Sequence, residues 1–262
     1  MSSLHRPPAP LWIRLMMILA LIILTIPLFT MTVGSVFEGG QLTLKWFLEV
    51  IQDEEIQAAM GRSVVVAIVA GAVSTLLGLI MAFGIEKYSF RGRSLLQFLS
   101  MVAMLLPELV FALSLLSWFV ILRFELSLLT VGIAHVTFSI SFSALIIGSR
   151  MLQLDTALED AAQDLGAGEV LVLRKVLLPQ LSGAILSSFL ICLILSFDDF
   201  LITFFVNGVG QDTLPIRLFT STKMGFSPKY NALATMMVFV TSCVAFLLLS
   251  LGMRQSKKNH IR

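Results

Sequence analysis

The chain has 262 residues, of which 57% are hydrophobic and 13% charged, and its mean hydropathy is +0.95. Side chains this apolar cannot clothe a water-facing surface, so lipid is the solvent for most of the molecule. A net charge of +2, with no basic run interleaved with aromatics, excludes a nucleic-acid binder.

A spanning helix needs about 20 largely apolar residues. Six runs qualify, at roughly 14–36, 61–85, 94–122, 128–149, 183–206 and 231–252. The expected fold is therefore all-α, a polytopic bundle of six transmembrane helices in a single domain over 1–262. The first run follows Arg6 and Arg14 and is longer than the apolar core of a cleaved signal, so it reads as a retained span. The third run contains Pro107 and Glu108, which predicts a break or kink there.

Between the first two runs, residues 38–57 are acidic. Trp46, Phe47, Val50 and Ile51 recur at helical spacing, as in an amphipathic helix lying on the membrane surface. Residues 207–230 hold Gly208, Gly210, Pro215, Gly225 and Pro228 and read as a looped outer segment. Lys and Arg set the orientation. Twelve of the 18 fall on the side of the N-terminus, among them Lys87, Arg91, Arg93, Arg150, Arg174 and Lys175. That bias puts both termini in the cytoplasm of a bacterial cell, with the protein multi-pass in the inner membrane.

One cytoplasmic segment is large, roughly 150–181. Leu154, Leu158, Ala161, Ala162 and Leu165 draw one apolar stripe on a short helix that starts near Asp155 and Thr156. Gly166 suits a left-handed helix terminus. A second short helix is expected from about 168 to 177, with Pro179 stopping it or opening the next span. Such a segment either docks into a partner's groove or rests on lipid.

The order Asp160-Ala161-Ala162, three residues, Gly166, nine residues, Val176, then Leu178-Pro179 resembles the E-A-A-x3-G-x9-I-x-L-P motif of permeases in type I ATP-binding-cassette importers. Asp160 stands where that family has Glu, and Val176 where it has Ile. The stretches SFDDFLITFFVNG, TLPIRLFTSTKMGFSPKYNALAT and AHVTFS are most similar to second permease subunits of the spermidine/putrescine branch. The resemblance implies that Asp160, Ala161, Ala162, Gly166, Val176, Leu178 and Pro179 couple to a cytoplasmic ATPase. It implies as partners a second permease, two ATPase copies and an extracytoplasmic solute-binding protein. The substrate implied is a polyamine; the same machinery could import iron, an anion or another amine.

No G-x-x-x-x-G-K-[ST] sequence is present, so ATP is expected on the partner and no cofactor on this chain. Cys192 and Cys243 lie in apolar runs. His5, His135 and His260 form no cluster at metal-ligand spacing, so neither a metal site nor a catalytic set is expected. His135 reads as a hydrogen-bonded structural histidine. Glu108, Asp198 and Asp199 fall at membrane depth, where a charge costs about 2.5–3.5 kcal/mol on insertion scales. Either a watery path carrying cations or a bonded partner offsets that cost. If 183–206 is one helix, adjacent Asp198 and Asp199 point about 100° apart, and only one faces the path. Phe197, Phe200, Phe111 and Trp118 are candidate aromatic faces for an ammonium group.

Overall fold

A computed structural model describes residues 10–259 except Gly39, Met224 and Phe226; His5, Arg6, His260 and Arg262 lie outside the described residues. Helix α1 (Leu11–Val36) leads through a two-stranded hairpin, β1 (Phe37–Glu38) and β2 (Gln41–Leu42), into α2 (Lys45–Gln52). The long α3 (Glu54–Lys87) follows, then α4 (Arg93–Leu105), α5 (Glu108–Ile121) and α6 (Leu128–Met151). After α7 (Ala157–Asp164) comes one continuous helix from Glu169 to Phe197. Its parts are α8 (Glu169–Val172), a π-helical turn (Leu173–Leu177) and α9 (Leu178–Phe197). The chain closes with α10 (Leu201–Val206), α11 (Leu214–Lys223) and α12 (Pro228–Asn259). Among the described residues, five helices are long and apolar enough to cross a membrane, six if the α4–α5 pair, bent by 112°, counts as one span.

The bend falls at Leu106-Pro107, as the proline predicts: Pro107 offers no N–H to continue α4 and instead starts α5. Three sequence expectations need correction. The fifth span does not run unbroken to 206, because Asp198–Phe200 interrupts it between α9 and α10. Residues 168–177 are not a separate short helix; they extend the fifth span downward. Pro179 is accommodated in the first turn of α9, directly after the widened π turn in which Leu178 N–H bonds Leu173 C=O. Residues 207–230 are not only loop, since α11 occupies ten of them, with Pro215 in its first turn, where no N–H is needed.

The centre of the bundle is α3, α6 and α9, and small residues let them approach. Along α9, Ala184, Ser188, Cys192 and Ser196 recur every four residues and are buried; along α6, so do His135, Ser139 and Ser143. The two rows meet antiparallel as a ladder. Ser188 Oγ donates to Ser143 Oγ at 2.7 Å, Cys192 Sγ to Ser139 C=O at 3.6 Å, and His135 Nδ1 meets Ser196 Oγ at 2.7 Å. Lipid provides no hydrophobic drive between helices, so close packing and hydrogen bonds of this kind must hold them. The same Ser143 side chain also meets α3: a Cβ on Gly78 would collide with it and come within 2.9 Å of the Ala144 N.

At the end of the bundle that carries α2 and α11, polar ties fix the turns. Asp53 caps α3 through the N–H groups of Glu55 and Ile56 at 3.0 Å and accepts from Lys229 Nζ at 2.6 Å. Arg217 of α11 pairs with Glu55. Arg62 Nε donates to Asp212 C=O at 2.8 Å, and Ser63 Oγ accepts from Leu214 N–H at 2.8 Å. The acidic stretch 38–57 thus holds the expected amphipathic helix as α2, preceded by the hairpin. Val50 of α2 is buried against α3 and α12, while Leu48 and Ile51 stay exposed.

Candidate translocation site and coupling segment

Two interrupted helices meet at one concavity of about 470 Å3, lined by Glu108, Phe138, Ile194, Leu195, Asp198, Asp199, Phe200 and Leu201. The three membrane-depth carboxylates picked out in the sequence therefore converge. They do so because both interruptions occur here: Glu108 opens α5 after the Pro107 bend, and Asp198 ends α9. Unwound backbone at this depth is tolerated only where protein buries it or water reaches it.

The three acids differ in what holds them. Asp199 is tied down. Its Oδ2 accepts from Thr203 N–H at 2.8 Å and Thr203 Oγ1 at 2.6 Å, and lies 3.0 Å from His135 Nε2. It caps α10 from outside the helix, and its side chain is only 6% exposed. His135 completes the cluster, with Nε2 also 2.9 Å from Thr203 Oγ1. A carboxylate can only accept, so the Nε2 of His135 carries the proton shared with Asp199, while Nδ1 pairs with the Ser196 hydroxyl. The expectation of a hydrogen-bonded structural histidine at 135 is met, and its partners are now named.

Asp198 is exposed, and among the described residues its carboxylate has no hydrogen-bond or salt-bridge partner. It caps the C-terminal end of α9, where unsatisfied carbonyls already make the potential negative. Carboxylate and helix end add up, and the complement of both is a cation. Glu108 is also exposed and belongs to the first turn of α5, where its charge is compatible with the free N–H groups. The picture of two aspartates 100° apart on one helix is thus replaced: they stand in the break itself, both lining the concavity, with Asp199 held by His135 and Thr203.

Of the candidate aromatic faces, only Phe200 lines the concavity, at 4.5 Å between ring centroids from Phe219. Phe197 is buried against α3 and α12, Phe111 packs on Phe138 at 5.5 Å, and Trp118 is exposed beside Phe119. Phe138 belongs to the site and was not singled out by sequence. Its signals were its place in the stretch AHVTFS and its position three residues after His135 on α6, which makes the two neighbours on the helix surface.

The residues of the coupling motif lie elsewhere. Leu178 and Asp198 are separated by the length of α9, about 30 Å at 1.5 Å per residue. Thr156 precedes α7, with Asp155 Oδ1 accepting from Ala157 N–H at 3.0 Å, as the helix-start residues predicted. Gly166 has φ +84°, a left-handed conformation that other residues adopt only with strain. Ala162, Leu165, Gly166, Leu171, Lys175 and Val176 line a shallow groove of about 390 Å3 between α7 and α8. Leu165 at its rim is 89% exposed. Asp160, Ala161 and Pro179 are exposed, and Leu178 is half-buried. Glu159, only the neighbour of the motif in sequence, is buried and accepts from Lys87 Nζ through both oxygens at 2.5 and 2.6 Å. Among the described residues no group of three His, Cys, Asp or Glu side chains is placed to hold a metal ion.

Comparison with known proteins decides the assignment. Residues 74–257 match the family described as the binding-protein-dependent transport system inner membrane component. The chain belongs to this family. It is a multi-pass inner-membrane permease. It is 36% identical over 225 residues to the putrescine transport system permease protein PotI of Escherichia coli K12, covering 83% of this chain and 80% of that one. It is 34% identical over 202 residues to the spermidine/putrescine transport system permease protein PotC of Haemophilus influenzae, covering 77% and 79%. In fold, this permease is similar to a chain from a bacterial transporter importing the acidic polysaccharide alginate. The TM-score is 0.69 at 14% identity, over 94% of this chain and 96% of that one. A chain of an amino acid transporter crystallised with histidines matches with a TM-score of 0.63 at 18% identity, over 81% and 100%.

Proposed function

We propose that this permease forms half of the path by which an ATP-driven importer carries polyamines into the cell. The observation that carries the reading is the Asp198 carboxylate on the negative end of α9, without a partner among the described residues, which shares with Glu108 a concavity walled by Phe138 and Phe200. A flexible chain of ammonium groups complements that arrangement in sign and in its apolar stretches. The curated relatives named for putrescine and spermidine transport support the same substrate class. Asp198 and Glu108 are the proposed substrate contacts, while Asp199 serves the path by holding its wall.

In the same reading, both termini are cytoplasmic and α7–α8 projects inward. Its groove and the motif residues Asp160, Ala161, Ala162, Gly166, Val176, Leu178 and Pro179 receive a cytoplasmic ATPase. The assembly is two permeases, two ATPases and an external solute-binding protein, with ATP bound by the ATPases. The relatives' role as permease proteins of transport systems supports this general plan.

The test is uptake of labelled putrescine and spermidine into proteoliposomes holding the assembled complex. A charge-assisted hydrogen bond is worth about 1.5–3 kcal/mol, so Asp198→Asn is expected to lower uptake at sub-saturating substrate by about 10- to 100-fold. Assembly with the ATPase should be retained. Wild-type uptake by Asp198→Asn and by Glu108→Gln refutes the polyamine path. For the coupling reading, Ala161→Trp is expected to abolish copurification of the ATPase; normal copurification and uptake would contradict it.

A further inference from the structure

Three consecutive residues at the end of α3 each reach a different helix. The Glu86 carboxylate lies 3.9 Å from the Arg93 guanidinium at the start of α4. Lys87 holds Glu159 of α7 through both carboxylate oxygens. Tyr88 Oη donates to Glu169 of α8 at 3.4 Å. Of the three, the middle tie is the one sheltered from solvent: the Glu159 side chain is 12% exposed and that of Lys87 28%. Exposed ion pairs hold geometry poorly, whereas a bidentate, mostly buried pair fixes it. The α7 arm of the protruding segment is therefore anchored to the end of α3, and the α8 arm touches the same end through the more exposed Tyr88 contact.

The far ends of the attached rods matter. Helix α4 starts next to this junction, at Arg93, and runs about 20 Å to the Pro107 bend that presents Glu108. The helix that begins with Glu169 runs without interruption to Asp198. So Glu108 and Asp198 of the concavity stand at the distal ends of helices whose proximal ends converge on Glu86-Lys87-Tyr88. The middle of α3 cannot yield independently, because Gly78 packs it against α6 at backbone distance.

We propose that the Lys87–Glu159 pair is the rigid joint that makes α7 and α3 move as one body, so that displacement of α7 by its partner reaches α4 and the concavity. Lys87 and Glu159 are positioning residues; neither touches the substrate. The proposal rests on the reading that α7–α8 receives the ATPase, and the experiment separates the two.

Lys87→Glu, Glu159→Lys and the double swap are assembled with the ATPase and binding protein in proteoliposomes, and ATPase copurification, ATP hydrolysis and uptake are measured together. Each single reversal is expected to leave ATPase bound and hydrolysing while uptake per ATP falls about tenfold. The swap is expected to recover uptake per ATP to within about twofold of wild type. Unchanged uptake per ATP in the singles, or a swap as defective as the singles, overturns the joint. Loss of ATPase copurification from the Ala161→Trp protein but not from these variants keeps the docking reading whatever their uptake. A second arm guards against misfolded reversals: Lys87→Cys with Glu159→Cys, in a Cys243→Ser background, is bridged by a short thiol cross-linker. A rigid joint predicts that the bridged protein still transports. Arrest on bridging, restored on release, shows that the pair must part during the cycle and overturns the proposal.

Discussion

Replacing His135 with Ala tests the logic that assigns Asp199 to structure and Asp198 to substrate. The imidazole makes three contacts between α6 and the broken fifth span, to Ser196, Asp199 and Thr203 at 2.7, 3.0 and 2.9 Å. A hydrogen bond between membrane helices contributes about 0.6 kcal/mol on average and up to about 1.7. Three of them amount to about 2–5 kcal/mol, a large share of the roughly 5–15 kcal/mol that separates a folded protein from its unfolded state. The Asp199 carboxylate keeps its two Thr203 donors when the imidazole is removed, so the loss stays within that range. Reversible unfolding of the purified permease in mixed micelles of mild detergent and dodecyl sulfate measures the loss. Asp198→Asn, which removes no contact present among the described residues, is the control expected to unfold like wild type. A double-mutant cycle of His135→Ala with Asp199→Asn should show strong coupling, because both changes break the same bond. If His135→Ala unfolds within about 0.5 kcal/mol of wild type, inside the scatter of an ordinary surface substitution, the imidazole is not what holds the break and the division of roles falls.

Two further outcomes follow from other parts of the fold. Gly78→Ala should destabilise by about 1–3 kcal/mol, the usual cost of overpacking, because the new methyl meets the Ala144 backbone as well as the Ser143 side chain; Gly61→Ala, with open space around it, should not. At the α2–α11 end, burial works to raise the pKa of the Asp53 carboxyl, but the Lys229 ammonium and the Ile56 N–H outweigh it, leaving it below its ordinary value. A lowered folded value means that this stabilisation is complete above the unfolded pKa, about 3.9, and is lost as pH falls through the folded one. Thermal unfolding in detergent should therefore lose stability below about pH 4 in the wild type, and Asp53→Asn should be less stable at neutral pH with a flatter acid limb. Equal acid limbs in the two proteins would contradict the assignment.

The sequence by itself determined the class and most of the span map. Apolar runs of bilayer length admit few other solutions, because every backbone polar group in lipid must be satisfied within a helix. Pro107 announced its bend for an equally local reason, the missing N–H. Gly166 did so too, since its left-handed backbone belongs to the residue type. The motif from Asp160 to Pro179 was visible as spacing, and the family it suggested is the one to which the chain belongs. The interruption at Asp198–Phe200 was not visible. Three residues vanish in a window of about 20, and the flanking LILSF and LITFFV are as apolar as any uninterrupted span.

Only the tertiary structure decided which of two adjacent aspartates is bound and which is free. The rows His135-Ser139-Ser143 and Ala184-Ser188-Cys192-Ser196 show fourfold spacing in sequence, but spacing marks a face without naming its partner. Setting α6 antiparallel to α9 in one register brings His135 beside Asp199 and leaves Asp198 without a partner among the described residues, in a concavity that both line. The same holds for Glu159, whose pairing with Lys87 appears only once α7 is packed against the end of α3. Charge and hydropathy are properties of residues and survive in a one-dimensional reading; which charge is neutralised depends on distances between helices, and those exist only after the bundle has packed.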